Sequence, residues 1–262
     1  MAKARPLVRS RYSDFNCGVS VVYDPGSLLS TRLVKRLPGN QILLKILARL
    51  TKGRWPGIVR ERYQVSERIV EVPFMLRNIT ESERLVLDLG CCESPLPLQL
   101  ASLGHKVVAV DQDEYLAKHP NLSFVRADIC QLGFQPQLFD VAVCLSTIEH
   151  IGLGFYGDPV HQRADLAAIR EIWRVLKPGG RLLLTTPFGK PRVGWQRVYD
   201  WAGITGLLSI FDIENARFCK RAGTDWTEVS REAAAEVDSP GETNAIVLVQ
   251  ARKVIEQPLQ QP

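Results

Sequence analysis

The stretch Val86-Leu87-Asp88-Leu89-Gly90-Cys91-Cys92-Glu93-Ser94 decides the fold. An apolar run broken by one aspartate reads as a buried strand, Gly90 opens a tight turn, and Leu96 to Leu103 then reads as a helix. A small residue in such a turn lets the backbone approach a ligand closely, and the helix start offers N–H groups with no partner inside the helix. One glycine there is common in α/β turns, so the weight lies on the acids that end the next two strands. A second strand, Lys106 to Val110, ends at Asp111, 21 residues after Gly90. An acid at that place and spacing can bind both hydroxyls of a ribose, as in dinucleotide folds. A third strand, Leu122 to Val125, is followed by Arg126-Ala127-Asp128-Ile129, where the Asp128 carboxylate can accept from an adenine amino group. Three acids after three successive strands fall along the carboxyl edge of a doubly wound sheet, where ligands bind.

The alternation continues. Phe139 to Cys144 is a fourth strand, and after a loop Leu166, Ile169, Ile172, Trp173 and Leu176 recur at helical spacing. Pro178, Gly179 and Gly180 end that helix, and Arg181 to Thr185 makes a fifth strand. Ala245 to Ala251 is a last strong strand, with a weaker one around Ile210 to Phe218. Alternating strands and helices predict an α/β fold built on a mostly parallel sheet.

On these residues the chain resembles the class I S-adenosylmethionine-dependent methyltransferases. The resemblance covers residues 84 to 251 and includes Arg174-Val175-Leu176-Lys177-Pro178-Gly179-Gly180. It implies a doubly wound, Rossmann-like, seven-stranded sheet with its last strand reversed, and S-adenosylmethionine as cofactor. Asp88 and Gly90 would line the methionine part, Asp111 the ribose, and Asp128 with the Ile129 backbone the adenine. The chain departs from the family at Cys92 and Ser94, which stand where the glycine-rich turn usually has two more glycines; both are small.

Methyl transfer to a hydroxyl needs alignment of the acceptor and removal of its proton. The loop after the fourth strand, Ser146-Thr147-Ile148-Glu149-His150, offers both candidates: His150 as general base and Glu149 to orient it, or the pair as a brace for the loop and cofactor. His161 is a second candidate base, whereas His105 and His119 read as surface loop residues. Some relatives that methylate quinone precursors hold a metal with an acid where Ser146 stands here, so no metal is expected. Gly152-Leu153-Gly154-Phe155-Tyr156-Gly157 spells G-x-G-x-x-G but follows no strand directly, and no strand ending in an acid comes about 20 residues on; its glycines are expected to shape a loop over the substrate. Pro187-Phe188-Gly189-Lys190-Pro191-Arg192 with Arg197, Tyr199 and Trp201 is an expected acceptor wall or, equally, a basic loop over core aromatics. Val72 to Ile79 resembles the segment ahead of the first strand in methyltransferases associated with bacterial sugars and surface polysaccharides.

The formal charge of +5 conceals an uneven chain. Residues 1 to 70 carry 14 Lys/Arg against 4 Asp/Glu, and the remainder 19 against 24. Gln41 to Lys52 forms a basic amphipathic pattern, with Lys45, Arg49 and Lys52 opposite its apolar positions. Three readings stay open for this region: a cap over the cofactor pocket with a solvated basic face, a dock on an anionic membrane where a lipid-linked substrate lies, or a nucleic-acid contact without any recognised module to support it. The Arg-rich start also permits an organelle transit peptide. Six cysteines form no C-x-x-C pair, and several sit in apolar runs as reduced thiols do. No apolar run approaches a membrane span.

The expected organisation is a basic extension over residues 1–80, an S-adenosylmethionine-binding domain over 81–251 and a polar tail over 252–262. The expected activity is O-methylation of a small or lipid-linked acceptor, preferably a sugar, in the cytoplasm or at the membrane periphery. A non-catalytic scaffold on the same fold is the alternative from a different class.

Overall fold

The structure, a computed structural model, describes residues 65–83, 85–92, 94–157 and 159–254. The basic helix expected at 41–52 and most of the basic region lie outside them. Within the described residues the chain opens with helix α1 (Arg68–Asn78), then β1 (Leu85–Leu89), α2 (Leu96–Ser102), β2 (Lys106–Asp111), β3 (Leu122–Arg126) and β4 (Phe139–Leu145). A single 3-10 turn (Ile148–His150) precedes α3 (Ala164–Val175), which runs directly into β5 (Leu176–Pro187). A small hairpin follows, β6 (Arg192–Val193) with β7 (Arg197–Val198), then α4 (Trp201–Leu207), β8 (Phe211–Ala222), β9 (Asp225–Val229), α5 (Arg231–Ala235) and β10 (Ala245–Lys253).

The main sheet has the order β3-β2-β1-β4-β5-β10-β8-β9. Strands β3, β2, β1, β4 and β5 are parallel neighbours, and β10 inserts antiparallel between β5 and β8. The reversed last strand is as expected, but the sheet has eight strands and not seven. The addition is β9, an edge strand hairpinned to β8. Its sequence, Asp225-Trp226-Thr227-Glu228-Val229, is half-exposed throughout and has no apolar run to read. What holds it is the ladder to β8, the packing of Trp226 and Val229 against the two cores, and the Arg217–Glu228 ion pair across the ladder.

Alternating side chains send β1 into two cores. Val86 packs with Leu96, Leu100, Val107, Val141 and Val143 on one face, and Leu87 and Leu89 pack with Phe139, Ile169, Ile172 and Leu184 on the other. Each of these is essentially buried, which stabilises the fold by roughly 1.5–3 kcal/mol per large aliphatic side chain. Burial on both faces is why the strands read as continuous apolar runs. Helix α1 falls on the extension side of the boundary expected at residue 80, yet its Phe74 and Met75 belong to the first of these cores. At the other end β10 runs two residues into the expected tail, through Arg252 and Lys253.

The Lys177-Pro178-Gly179-Gly180 segment interrupts the β4–β5 register. Phe139 pairs with Leu176, but the next pair is Val141 with Arg181, so the regular ladder begins where the sequence placed the strand.

Candidate active site

Strands β1, β2, β3 and β4 end side by side, and their carboxyl ends bring the expected residues together. Asp88 is the fourth residue of β1 and is 2% exposed, and its Oδ2 has no hydrogen-bond partner among the described residues. Burial, reinforced by Asp111 and opposed by Arg68, pushes its carboxyl up to about 8. A buried carboxylate oxygen without a partner is costly unless a ligand meets it.

Gly90 follows with φ +73°, a left-handed conformation that glycine adopts at little cost. The turn lies against β2, the Gly90 and Cys91 N–H groups both donating to Val110 O at 2.9 and 3.3 Å. Asp111, at the end of β2, has its carboxylate fixed by two backbone donors: Cys92 N–H to Oδ2 (2.7 Å) and Asp113 N–H to Oδ1 (3.0 Å). The Cys92 position therefore works through its main chain, which a glycine would also supply. Tyr115 closes the same corner by donating to Ser94 O at 2.9 Å. Asp128 is exposed after β3 and accepts from Cys130 N–H at 2.8 Å, with Ile129 buried beside it.

The loop after β4 carries the other candidates. Glu149 is 1% exposed, accepts from Thr186 Oγ1 at 3.2 Å, and burial pushes it up to about 8. His150 Nδ1 lies 3.2 Å from Trp195 O; a carbonyl only accepts, so Nδ1 carries the proton. His150 Nε2 faces Glu149 Oε1 at 4.0 Å. The imidazole packs against the Trp195 ring (centroids 4.9 Å apart) and edge-on to Tyr156 (5.3 Å), and both of those rings are about half exposed. His161 is exposed, and its main chain ties off the loop through His161 N–H to Gly152 O at 2.9 Å. Gly152 has φ +76°, and a β-carbon there would meet Ala164 and the His161 carbonyl, so the G-x-G-x-x-G segment shapes a loop.

Of the two readings of Arg197, Tyr199 and Trp201, the structure favours core aromatics over an acceptor wall, and it turns Arg197 inward. Arg197 is 6% exposed and donates to Ile151 O (2.7 Å), Glu149 O (3.4 Å) and Gln162 O (3.5 Å), with Asp165 3.5 Å from its Nε. Tyr199 donates to Asp165 at 3.0 Å, and Trp201 packs on Phe218. Arg197 thus ties down the loop that carries His150, Tyr199 is core, and Trp201 packs partly buried against it.

Sequence reasoning missed the first turns of α1. Glu71 is fully buried there, pairs with Arg68 at 2.5 Å and accepts from Ser146 Oγ at 2.6 Å. A signal was present: one carboxylate inside the apolar run Ile69-Val70-Glu71-Val72. Among the described residues no group of three or more His, Cys, Asp or Glu could hold a metal ion, and the five described cysteines form no disulfide. No described helix is long and apolar enough to cross a membrane.

Comparison with known proteins fits this arrangement. Residues 87–184 match the family model described as a methyltransferase domain. Over that stretch the chain is similar to a methyltransferase domain. A ubiquinone biosynthesis O-methyltransferase of Xanthomonas campestris pv. campestris is 33% identical over 128 residues, 45% of this chain and 48% of that protein. Its counterpart in Coxiella burnetii is 31% identical over 126 residues, covering 45% and 49%. The chain thus spans about half the length of the curated relatives it matches. In fold, it is similar to the Burkholderia thailandensis 1,6-didemethyltoxoflavin-N1-methyltransferase, whose crystal structure holds 1,6-didemethyltoxoflavin and S-adenosylhomocysteine (TM-score 0.50, 16% identity, 84% of this chain and 92% of that one). The matched stretch contains Asp88, Asp111, Asp128, Glu149 and His150, whereas Arg68, Glu71, Trp195 and Arg197 lie outside it.

Proposed function

We propose that this chain transfers a methyl group from S-adenosylmethionine to a hydroxyl of a small ring-bearing acceptor. The observation that carries the reading is the buried Asp88 carboxyl group with an unpartnered oxygen, beside the Gly90 turn and the amide-fixed Asp111 carboxylate at one sheet edge. These residues suit S-adenosylmethionine: Asp88 and Gly90 toward its methionine part, Asp111 toward the ribose, and Asp128 with the Ile129 backbone toward the adenine. When bound, it supplies a methyl carbon made electrophilic by the neighbouring sulfonium. The family match over 87–184 and the S-adenosylhomocysteine held by the Burkholderia enzyme support the assignment.

The protein's part is to align the acceptor and take its proton. His150 is the proposed base. With Nδ1–H committed to the Trp195 carbonyl, Nε2 is the nitrogen that receives a proton, and the Glu149 carboxyl lies 4.0 Å from it. The half-exposed Trp195 and Tyr156 rings beside it give a flat acceptor two faces to pack on. That arrangement suits a phenol or the apolar face of a sugar; oxygen as the methylated atom follows the O-methyltransferase relatives. A lipid-linked form of the acceptor would bring the basic 41–52 segment into use at a membrane surface.

Calorimetric titration with S-adenosylmethionine and S-adenosylhomocysteine tests the cofactor. Both are expected to bind, and Asp111→Ala to abolish binding; a folded wild type that binds neither removes the reading. Labelled-methyl transfer across a panel of phenols, nucleotide sugars and glycolipids then decides the acceptor. Binding without transfer to any acceptor, with co-purification of a partner, would favour a scaffold.

A further inference from the structure

Ser146, the first residue after β4, has φ +43°. A serine in the left-handed region is held only when its surroundings compel it, and such residues gather at functional sites. Two contacts hold this one. Its N–H donates to Thr185 O and Oγ1, both at 3.1 Å, and its Oγ donates to Glu71 Oε1 at 2.6 Å. The second contact joins residues 75 apart in sequence, and its acceptor is a carboxylate fully buried in α1. Glu71 Oε2 is occupied by Arg68, so the carboxylate is fixed from both sides. A short hydrogen bond to a carboxyl group that also pairs with an arginine is among the strongest available. From Ser146 the chain passes through Thr147 straight into the 3-10 turn Ile148–His150, so the Ser146 backbone angles set the direction of the whole turn.

We propose that Glu71 is a positioning residue that acts through Ser146, holding the loop after β4 in the one conformation that aims His150 toward the acceptor. It never touches the acceptor; α1, which lies outside the matched methyltransferase region, completes the site from behind. The proposal deepens the methyl-transfer reading and rests on it for its purpose, but its test needs no methyl transfer.

The test exploits glycine, which adopts positive φ without a restraint. The His150 ring signals, assigned by their loss in His150→Gln, report the turn's position through ring currents from Trp195 and Tyr156. Glu71→Ala is expected to shift those signals toward values of an unstacked histidine, while Glu71→Gln, which keeps an acceptor oxygen, shifts them little. Adding Ser146→Gly to Glu71→Ala is expected to restore them. If Glu71→Ala does not fold, Ser146→Ala and Ser146→Gly decide: the first displaces the His150 signals and the second does not. In every folded variant the Kd for S-adenosylhomocysteine stays within about threefold of wild type. Unmoved signals in Glu71→Ala, no restoration by Ser146→Gly, or equal behaviour of the two Ser146 variants would overturn the proposal. Failure of the wild type to bind S-adenosylhomocysteine would instead count against the methyltransferase reading and leave the NMR comparison standing.

Discussion

Thr147 stands so close to Gly90 that a β-carbon on the glycine would lie 2.3 Å from Thr147 Oγ1 and 2.4 Å from its Cγ2. The turn after β1 and the loop after β4 interlock at this point, and Thr147 Oγ1 reinforces the junction by donating to Leu145 O at 3.0 Å and Leu89 O at 3.2 Å. The proposed cofactor turn and the proposed base loop therefore share one steric contact.

Gly90→Ala meets two separate obstacles there. Positive φ costs an alanine about 1–2 kcal/mol, and forcing a methyl into filled space costs about 1–3 kcal/mol more. Denaturant unfolding is expected to give a loss of about 2–5 kcal/mol. In a Thr147→Ala background the same change should cost less, because only the backbone share remains in full. Equal losses in both backgrounds would show that the contact does not limit the turn.

The carboxyl edge was legible in the sequence because its logic is local. Asp88 stands near the end of β1, Asp111 ends β2 and Asp128 follows β3 by two residues, each marked by the strand's own apolar residues, and Glu149 and His150 follow the fourth. Contacts between distant segments were not legible. Nothing near Arg197 says that its guanidinium turns inward to the Ile151 carbonyl, and nothing near Ser146 names Glu71 as its partner. Such pairings depend on how α1 and the β6–β7 hairpin pack, and that is set by tertiary contacts. Strand β9 escaped notice for a different reason: its two apolar residues, Trp226 and Val229, stand apart among polar ones and make no run to read.

Asp88 should leave a mark on the pH dependence of stability. Its carboxyl titrates near 8 in the folded protein against about 3.9 in an unfolded chain, so the unfolded state loses the proton first as pH rises. Stability should fall between about pH 4 and pH 8, by up to about 1.4 kcal/mol per pH unit for one such group, and level off above. Glu149, also near 8, contributes in the same direction. Asp88→Asn removes its share and should gain stability over wild type at pH 8 but not at pH 4, by urea unfolding at both. An equal difference at the two pH values would refute the burial argument.

Arg197→Lys tests the brace on the loop. A lysine cannot satisfy the Ile151, Glu149 and Gln162 carbonyls together while facing Asp165, because it lacks the guanidinium's spread of donors. A loss of about 2–4 kcal/mol is expected for a disrupted buried charge with several partners. Hydrogen exchange should quicken at the Gly152 and His161 amides more than in the β1–β4 ladder. Exchange that quickens uniformly would mean that Arg197 supports the fold as a whole and not this loop.

His150 and Trp195 touch, yet they should fail in different ways. His150→Gln keeps a side chain of similar reach but supplies no base, so turnover of the acceptor found in the panel should fall by about 10²–10⁴ while KM changes little. Trp195→Ala leaves the main-chain carbonyl that accepts from His150 Nδ1 and removes only the ring. Its expected effect is a raised KM with turnover largely kept, since a stacking face binds ground state and transition state alike. S-adenosylmethionine affinity should be close to wild type in both variants. A fall in turnover for Trp195→Ala as deep as that for His150→Gln would mean that the ring holds the imidazole in place and is no platform for the acceptor. Undiminished turnover in His150→Gln would reduce the histidine to part of the loop's packing and leave the acceptor hydroxyl to lose its proton to another group.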